Sequence, residues 1–281
     1  MPERRAKQKP RVLAFGAHPD DVEFMMAGTL ILLAQAGYEP HIMTVANGSC
    51  GTMRHEEKEI IQLRRQEAEN AARLINAQYH PGLVNDLEVY YESWLIKKVA
   101  AKIREIRQEI ILAPSPNDYM EDHQNTARIV SSAAFYRAMR NYRTDPSVQP
   151  MNGDVFVFHA LPYGLRDGMR RGIWAESYVD ISDAIELKER MLACHKTQKE
   201  WLDESQGLNA YLEAMRMMSQ EVAGMSGQKW RYAEGWRRHN HLGLSGKDND
   251  RLAEVLGNKV WVDPAYQQWL DRPPWEMPKK R

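Results

Sequence analysis

The sequence predicts an α/β fold in which helices cover both faces of a mostly parallel sheet, a Rossmann-like arrangement of three layers. Short apolar runs alternate along the chain with longer segments of helical periodicity, and this alternation is typical of βαβ units. The runs Val12 to Gly16 and Ile110 to Ala113 each end in a turn. Apolar runs of this length are typical of buried strands when turns bound them. The 281 residues suffice for one large domain of this kind.

The individual elements follow from periodicity and from helix end signals. The predicted strands are Val12 to Gly16, Glu39 to Ala46, Ile110 to Ala113 and Asp154 to His159. The predicted helices are Gly28 to Gly37, Glu56 to Ala77, Ser93 to Gln108, Gln124 to Arg140, Asp183 to Glu204 and Leu208 to Val222. The helix from Glu56 carries an inner apolar stripe that includes Ile60, Leu63 and Ala71.

The domain organisation is predicted from composition along the chain. We expect residues 1–10 to form a basic tail and residues 11–246 to form a single domain. Residues 247–281 contain Trp261, Trp269, Trp275 and several prolines. Because aromatic side chains favour burial, we expect this C-terminal extension to wrap over the core rather than to be disordered. The aromatic residues of this extension are also compatible with a homo-oligomer, since Trp and Tyr are enriched at interfaces.

Composition excludes several classes of function. The chain has 38 basic and 38 acidic residues and a formal net charge of zero, which gives no reason to expect a nucleic-acid partner. No apolar run approaches the roughly 20 residues that cross a bilayer, and Met1 to Pro10 lacks the apolar core of a secretory signal. The two cysteines, Cys50 and Cys194, cannot form a disulfide framework, so we expect a cytoplasmic protein.

The segment directly after the first strand concentrates chemically active side chains. His18, Asp20 and Asp21 follow Gly16 within five positions, where ligands bind in open parallel sheets. His18 and Asp21 can face one side because they are three apart, and an imidazole with a carboxylate suits Zn²⁺. Asp20 is then placed to act as a general base. Asp is also a favoured N-cap residue, so the spacing alone leaves both helix capping and metal binding open.

A third metal ligand is expected at the end of another strand. The run Ile110 to Ala113 is followed by the loop Ser115 to His123, which leads into a helical pattern. His123 therefore occupies a strand–loop–helix junction like that of His18. Two such junctions on neighbouring parallel strands would converge at one edge of the sheet, which favours a site made of His18, Asp21 and His123.

At these two junctions the chain resembles the PIG-L/LmbE family of zinc-dependent N-acetylglucosamine deacetylases. Ala17 to Glu23 reads Ala-His-Pro-Asp-Asp-Val-Glu and matches the family hallmark, while Asp118 to His123 resembles its second signature. The resemblance implies the LmbE-like fold and zinc ligation by His18, Asp21 and His123, with Asp20 as general base. It implies removal of the N-acetyl group from an N-acetylglucosamine-type sugar or sugar conjugate. Sites of this composition also accept Fe²⁺ and other divalent ions.

The resemblance extends to substrate-binding positions and has one departure. It implies that Arg64 faces the sugar, that Asp86 binds sugar hydroxyls and that Asn47 belongs to a loop at the substrate. Family enzymes often carry a histidine where this chain has Met120. Methionine can neither donate nor accept the proton that this histidine handles. We expect another side chain to substitute, and the candidates are His159, at the end of a predicted strand, Tyr163, and His195, which the resemblance favours. Otherwise the metal alone would polarise the carbonyl.

Two other functions are compatible with the sequence. The substitution at Met120 would suit a non-catalytic, metal-containing protein of the same fold that binds a sugar without cleaving it. The intact Asp20 argues against this alternative, because a binding protein needs no base. A Rossmann-like nucleotide-binding protein ranks last, because the first strand is not followed by Gly-x-Gly-x-x-Gly.

Overall fold

A computed structural model describes residues 9–206 and 211–272. Within these ranges the strands are β1 (Arg11–Gly16), β2 (Glu39–Thr44), β3 (Gln78–His80), β4 (Ile110–Ala113), β5 (Phe156–Ala160), β6 (Ser177–Asp180), β7 (Ala233–Arg238) and β8 (Val260–Val262). The helices are α1 (Asp21–Met25), α2 (Ala27–Gln35), α3 (Glu57–Arg73), α4 (Ser93–Ile106), α5 (Glu121–Tyr136), α6 (Ile185–Leu192), α7 (Lys196–Gln206), α8 (Tyr211–Ser226), α9 (Arg251–Leu256) and α10 (Pro264–Leu270). No described helix has both the length and the apolar character needed to cross a membrane.

The strands form one sheet in the order β3-β2-β1-β4-β5-β7-β6-β8. The five strands from β3 to β5 pair in parallel, whereas β7, β6 and β8 add antiparallel pairs at one side. Successive side chains of a strand point to opposite faces. Val12 and Ala14 accordingly join a core cluster with α2, α6 and α8, while Leu13 and Phe15 join a second cluster with α4 and α5. The predicted three-layer α/β fold is therefore confirmed.

The register of the central strands brings the two chemically active loops together. β1 lies between β2 and β4, with Ala14 paired to Leu112. Because β1 and β4 run in the same direction, the loops that leave their carboxyl ends emerge side by side. The turn after β1 is tight: a Cβ built on Gly16 would lie 2.9 Å from Asp21 Cβ, so a side chain at this position would displace Asp21.

Four short strands were not predicted from the sequence, and one helix predicted as continuous is interrupted. β3, β6, β7 and β8 have only three to six residues each and lack a clear apolar alternation. The helix predicted from Asp183 to Glu204 is two helices, α6 and α7, so His195 lies at a break rather than in mid-helix. β7 lies inside the sheet, between β5 and β6.

The C-terminal segment contributes to the sheet and to an aromatic cluster. β8 pairs antiparallel with β6, and the Trp261 ring lies 5.7 Å from that of Tyr178. Trp269 and Tyr266 of α10 both contact Trp174. Trp275 lies outside the described residues, and the predicted boundary at residue 246 stays a prediction.

Candidate active site

Three side chains from the β1 and β4 loops converge on one point. Ligand atoms of His18, Asp21 and His123 all lie within 4.8 Å of one another. Asp21 Oδ1 is 3.4 Å from His123 Nε2, and Asp21 Oδ2 is 3.7 Å from His18 Nδ1. Two backbone amides, those of Ala17 and His18, donate to Asp21 Oδ2 at 2.8 and 2.9 Å. The carboxylate is thus held by the turn instead of capping α1, which has no side-chain cap.

A second layer of carboxylates orients both histidines. Asp122 Oδ2 lies 2.9 Å from His18 Nε2, and Asp118 Oδ1 lies 3.0 Å from His123 Nδ1. Each imidazole therefore has a carboxylate at one ring nitrogen and the shared point at the other. This arrangement fixes the tautomer and raises the basicity of histidines that bind metals. Two imidazoles and one carboxylate, so supported, fit a divalent cation.

The charges around this point favour a bound cation. Burial lowers the pKa of His18, but hydrogen bonds with Asp122 and Asp21 outweigh it and raise the pKa to about 9. Burial raises the pKa of Asp21, but the neighbouring His123 and His18 hold it well below its usual range. In the same way, burial lowers the pKa of His123, and the Asp21 and Asp118 carboxylates raise it well above the usual value. Neutral imidazoles cannot balance the negative charge of these carboxylates. A bound proton or a metal ion would supply the missing positive charge.

Asp20 lies beside the three ligands but is held by other groups. Its backbone is left-handed, with a φ of 99°, and its side chain is not part of the group formed by His18, Asp21 and His123. Tyr211 donates its hydroxyl to Asp20 Oδ2, and Arg64 Nη2 lies 3.6 Å from Asp20 Oδ1. Burial raises the pKa of Asp20 to about 6, although the Arg64 charge opposes this shift. A carboxylate with such a pKa suits proton transfer near neutral pH.

These groups lie at one cavity of about 670 Å³. Aromatic and apolar side chains supply much of its wall, among them Phe24, Met25, Leu87, Tyr119, Met120, Tyr163, Trp201, Leu202, Tyr211 and Ala214. The cavity combines a metal-type donor set, a neighbouring carboxylate and space for an organic molecule. Chemically, this arrangement suits metal-assisted hydrolysis.

Comparisons with known proteins agree with this geometry. Residues 13–134 match the sequence model of the family described as PIG-L: GlcNAc-PI de-N-acetylase. Over 233 residues the chain is 24% identical to diacetylchitobiose deacetylase of Thermococcus kodakarensis, which covers 81% of this chain and 82% of that protein. Over residues 13–134 this chain is similar to the PIG-L family.

Solved structures share the fold of this PIG-L-like chain. N,N'-diacetylchitobiose deacetylase from Pyrococcus horikoshii superposes with a TM-score of 0.68 at 23% identity, covering 88% of this chain and 90% of that one. The 4-carboxy-2-hydroxymuconate hydratase from Pseudomonas putida KT2440 gives a TM-score of 0.69 at 19% identity, covering 82% and 96%. Because one neighbour is named as a deacetylase and the other as a hydratase, the fold alone does not define the reaction.

The three predicted substrate-binding residues of the PIG-L-like chain occupy different depths. Asp86 lines the cavity, and both of its carboxylate oxygens accept backbone amides, from Gly48 at 2.7 Å and Cys50 at 2.9 Å. Arg64 also lines the cavity but is only 2% exposed. Asn47 is not among the lining residues. Its side chain bonds Asn85 at 2.8 Å, so it supports the loop from behind.

The two histidines predicted to replace the function of Met120 do not reach the cavity. His159 lines a different cavity, where Nδ1 bonds the Pro114 carbonyl at 2.8 Å and Nε2 faces His239 Nδ1 at 3.1 Å. His195 is 1% exposed and lies 3.5 Å from Glu23, behind the carboxylate of Asp20. Neither side chain lines the cavity of the metal-type group, which is the group formed by His18, Asp21 and His123. The structure therefore places neither histidine at the reacting atoms.

Sequence reasoning missed Tyr211, Asp118 and Asp122. The two aspartates stand inside the segment Asp118 to His123, and their closeness in sequence to a predicted ligand was the available signal. Asp118 lies at His123, whereas Asp122 lies at the distant His18. Tyr211 follows Asp20 by 191 positions and lies in a segment that the sequence marks only as helical. No local pattern could connect it with Asp20.

Proposed function

We propose that this chain is a metal-dependent hydrolase that removes the acetyl group from an N-acetylglucosamine-type sugar or sugar conjugate. One observation carries the proposal: the Asp20 carboxylate lies in the same cavity as the His18, Asp21 and His123 group without belonging to it. The match of residues 13–134 to a de-N-acetylase family supports the choice of an N-acetyl amide as the bond that is cleaved.

In this proposal His18, Asp21 and His123 hold the metal, for which zinc is the first candidate. A divalent ion bound there supplies Lewis acidity, which polarises the amide carbonyl and lowers the pKa of water. Asp20 takes one proton from the attacking water. As the C–N bond breaks, Asp20 returns this proton to the nitrogen, and the products are acetate and a free amine. Tyr211 and Arg64 hold the carboxylate in position during both transfers.

The sugar would lie between a polar floor and aromatic walls. The Asp86 oxygens that accept backbone amides keep further lone pairs, so this carboxylate can also accept a sugar hydroxyl. The exposed rings of Tyr119 and Tyr163, whose centroids are 6.3 Å apart, offer apolar faces at the opening. Met120 adds an apolar contact and no proton donor, so proton return rests on Asp20.

The rival function is a metal-containing protein that binds a sugar without cleaving it. Such a protein has no use for a buried carboxylate beside the metal group, whereas Asp20 is held by two separate contacts.

The cytoplasmic location predicted from the two cysteines belongs to the same proposal and is tested by fractionating cells that express the chain.

Acetate release from a panel of N-acetylglucosamine conjugates tests the proposal. Metal-stripped protein is assayed with and without added Zn²⁺, and with Fe²⁺ as a second arm. We expect metal to restore release in the native chain and in His55→Ala, a variant at a histidine outside the cavity, but not in His123→Ala. Sugar binding without acetate release, at one equivalent of bound metal, would contradict the enzyme and support the binding protein.

A further inference from the structure

A second cavity, of about 600 Å³, lies beside the first and differs from it in charge. Three arginines and two histidines line it, with several aromatic rings and two serines; the lining residues that matter here are Tyr91, Arg128, Phe135, Arg237, Arg238 and Tyr266. No Asp or Glu is among the described residues that line it. In a chain of zero net charge, a cavity with only positive formal charges is a local imbalance that needs an explanation.

Arg237 is a largely buried cation whose partners are all neutral. Its Nη1 donates to Asn117 Oδ1 at 3.2 Å and its Nη2 to Ser115 Oγ at 2.7 Å. The buried Nε has no hydrogen-bond acceptor in the described part of the chain. Burial lowers the pKa of Arg237 and no neighbouring carboxylate opposes it, but a guanidinium stays charged in proteins. A buried charge without a counter-ion is costly.

The other basic side chains show where the excess charge lies. Arg238 is compensated by Glu176 at 2.6 Å and Asp248 at 3.0 Å. Arg128 lies over the Tyr91 ring at 4.6 Å, and none of the ion pairs found among residues 9–206 and 211–272 includes it. The two guanidinium groups of the cavity without a carboxylate partner among the described residues are therefore Arg237 and Arg128, of which Arg128 is exposed to solvent.

The histidines of this cavity add no charge at neutral pH. The Pro114 carbonyl can only accept, so His159 Nδ1 must carry the hydrogen of that 2.8 Å bond. Burial and the neighbouring His239 lower the pKa of His159 to about 3, which leaves its Nε2 to accept from His239 Nδ1. Burial also lowers the pKa of His239. Both rings are neutral, and the two arginines remain the charged groups.

We propose that this second cavity binds a phosphate monoester, with the phosphate at Arg128 and Arg237 and the organic part against the aromatic rings. A phosphate monoester carries a charge of about −1.5 to −2 at pH 7, which matches two uncompensated guanidinium groups. Guanidinium groups bind phosphate oxygens through paired, charge-assisted hydrogen bonds. The rings of Phe135 and Tyr266 provide apolar surface for a carbon skeleton. This site does not depend on the proposed deacetylation.

Calorimetric titration of the full chain tests the site, with inorganic phosphate, phenyl phosphate and acetate as probes at matched ionic strength in chloride. Each titration is run on the protein as isolated and after chelation, because phosphate also binds metals. We expect phenyl phosphate to bind more tightly than phosphate, and acetate to bind most weakly. Chelation should leave phenyl phosphate binding unchanged.

Variants separate this cavity from nonspecific anion binding. Arg237→Gln should weaken phenyl phosphate binding by about tenfold or more, as expected for lost hydrogen bonds to a charged group, and Arg128→Gln by a few fold. Arg73→Gln, at an exposed arginine elsewhere, should bind like the native chain. Arg237 also supports Ser115 and Asn117, so Arg128→Gln serves as the variant that leaves those bonds intact. Unchanged binding in both variants, or acetate binding as tight as phenyl phosphate, would overturn the proposal.

Discussion

Two neighbouring cavities share one loop and one helix but have opposite charge. The cavity of the metal-type group contains Asp20, Asp21, Asp86 and His123, whereas no described acid lines the cavity of Arg237. Helix α5 supplies His123 to the first and Arg128 to the second. Five residues of helix correspond to about 500°, or roughly 140° around the axis, so these side chains leave opposite sides of α5. A short stretch of sequence therefore contributes both to the proposed cation site and to the proposed anion site.

The largest expected effect comes from removing Asp20, the carboxylate to which we assign a role in chemistry rather than in binding. Asp20→Asn keeps the size of the side chain but cannot take a proton, and a general base contributes about 10²- to 10⁴-fold to a rate. We expect acetate release to fall by that range while the zinc content stays at the native level, since Asp20 lies outside the ligand group. Activity and metal content are measured on the same preparation.

A near-native rate in Asp20→Asn would contradict the role of Asp20 as the general base of the first cavity. Acetate release would then rest on the metal group and on a proton acceptor other than Asp20. Loss of zinc together with activity would instead show that Asp20 helps to hold the metal. The native chain at equal zinc occupancy is the control.

The second-layer carboxylate Asp122 gives the next effect in size. Asp122→Asn weakens the acceptor at His18 Nε2, which is 2.9 Å away in the native chain, and loss of such a partner lowers metal affinity by about 10- to 100-fold. Competition with a chelator measures the zinc affinity. Asp250→Asn, which keeps the N-cap of α9, is the matched control. Equal affinity in Asp122→Asn and the native chain would mean that Asp122 only supports the Leu87 amide, which it also accepts at 2.8 Å.

How much of the site could be predicted depended on sequence distance. His18, Asp20 and Asp21 are neighbours, and the strand before them has a clear apolar pattern, so the chain itself shows both the side chains and their place at the sheet edge. His123 was reached by the same pattern at β4. Tyr211 approaches Asp20 only because α8 folds back over the site, and sequence periodicity does not predict which distant helix covers which loop.

The unpredicted strands have a physical cause of their own. Part of β7 looks like polar surface in sequence, because Glu234, Arg237 and Arg238 are charged. Each finds a partner only in the folded chain: Glu234 pairs with the buried Lys188 at 2.7 Å, and Arg237 with the β4 loop. Buried polar groups that are satisfied by distant residues cannot be told from solvent-exposed ones by composition. The second cavity was hidden from sequence reasoning for this reason.

The neutral histidine of the second cavity predicts a loss of stability in acid. The pKa of His159 in the folded chain, about 3, lies below the value of about 6.5 in the unfolded chain. The unfolded chain therefore binds the proton first, and stability falls as the pH decreases from 6.5 towards 3. Protonation of this single group in the unfolded chain should lower the free energy of unfolding by about 2 kcal/mol at pH 5. In urea unfolding with chelator present, the free energy of unfolding of His159→Asn should fall by about 2 kcal/mol less than that of the native chain between pH 7 and pH 5.

The same unfolding series contains its own control. Arg73→Gln changes no histidine and should keep the native pH dependence. Identical slopes for His159→Asn and the native chain would show that His159 has the same pKa in the folded and unfolded chains, which would contradict the prediction.

The smallest effect concerns Tyr211, which supports the base of the first cavity without touching the reacting atoms. Tyr211→Phe removes only the hydroxyl that donates to Asp20 Oδ2, and a hydrogen bond to a charged group contributes about 1.5 kcal/mol or more. We expect kcat for acetate release to fall about tenfold, with KM and zinc affinity unchanged. Tyr38→Phe removes a similar bond, to Glu109 at 2.8 Å, outside this cavity and should leave kcat unchanged. A change in KM alone would make Tyr211 part of the substrate wall, whereas a fall in kcat alone supports its role in holding the carboxylate.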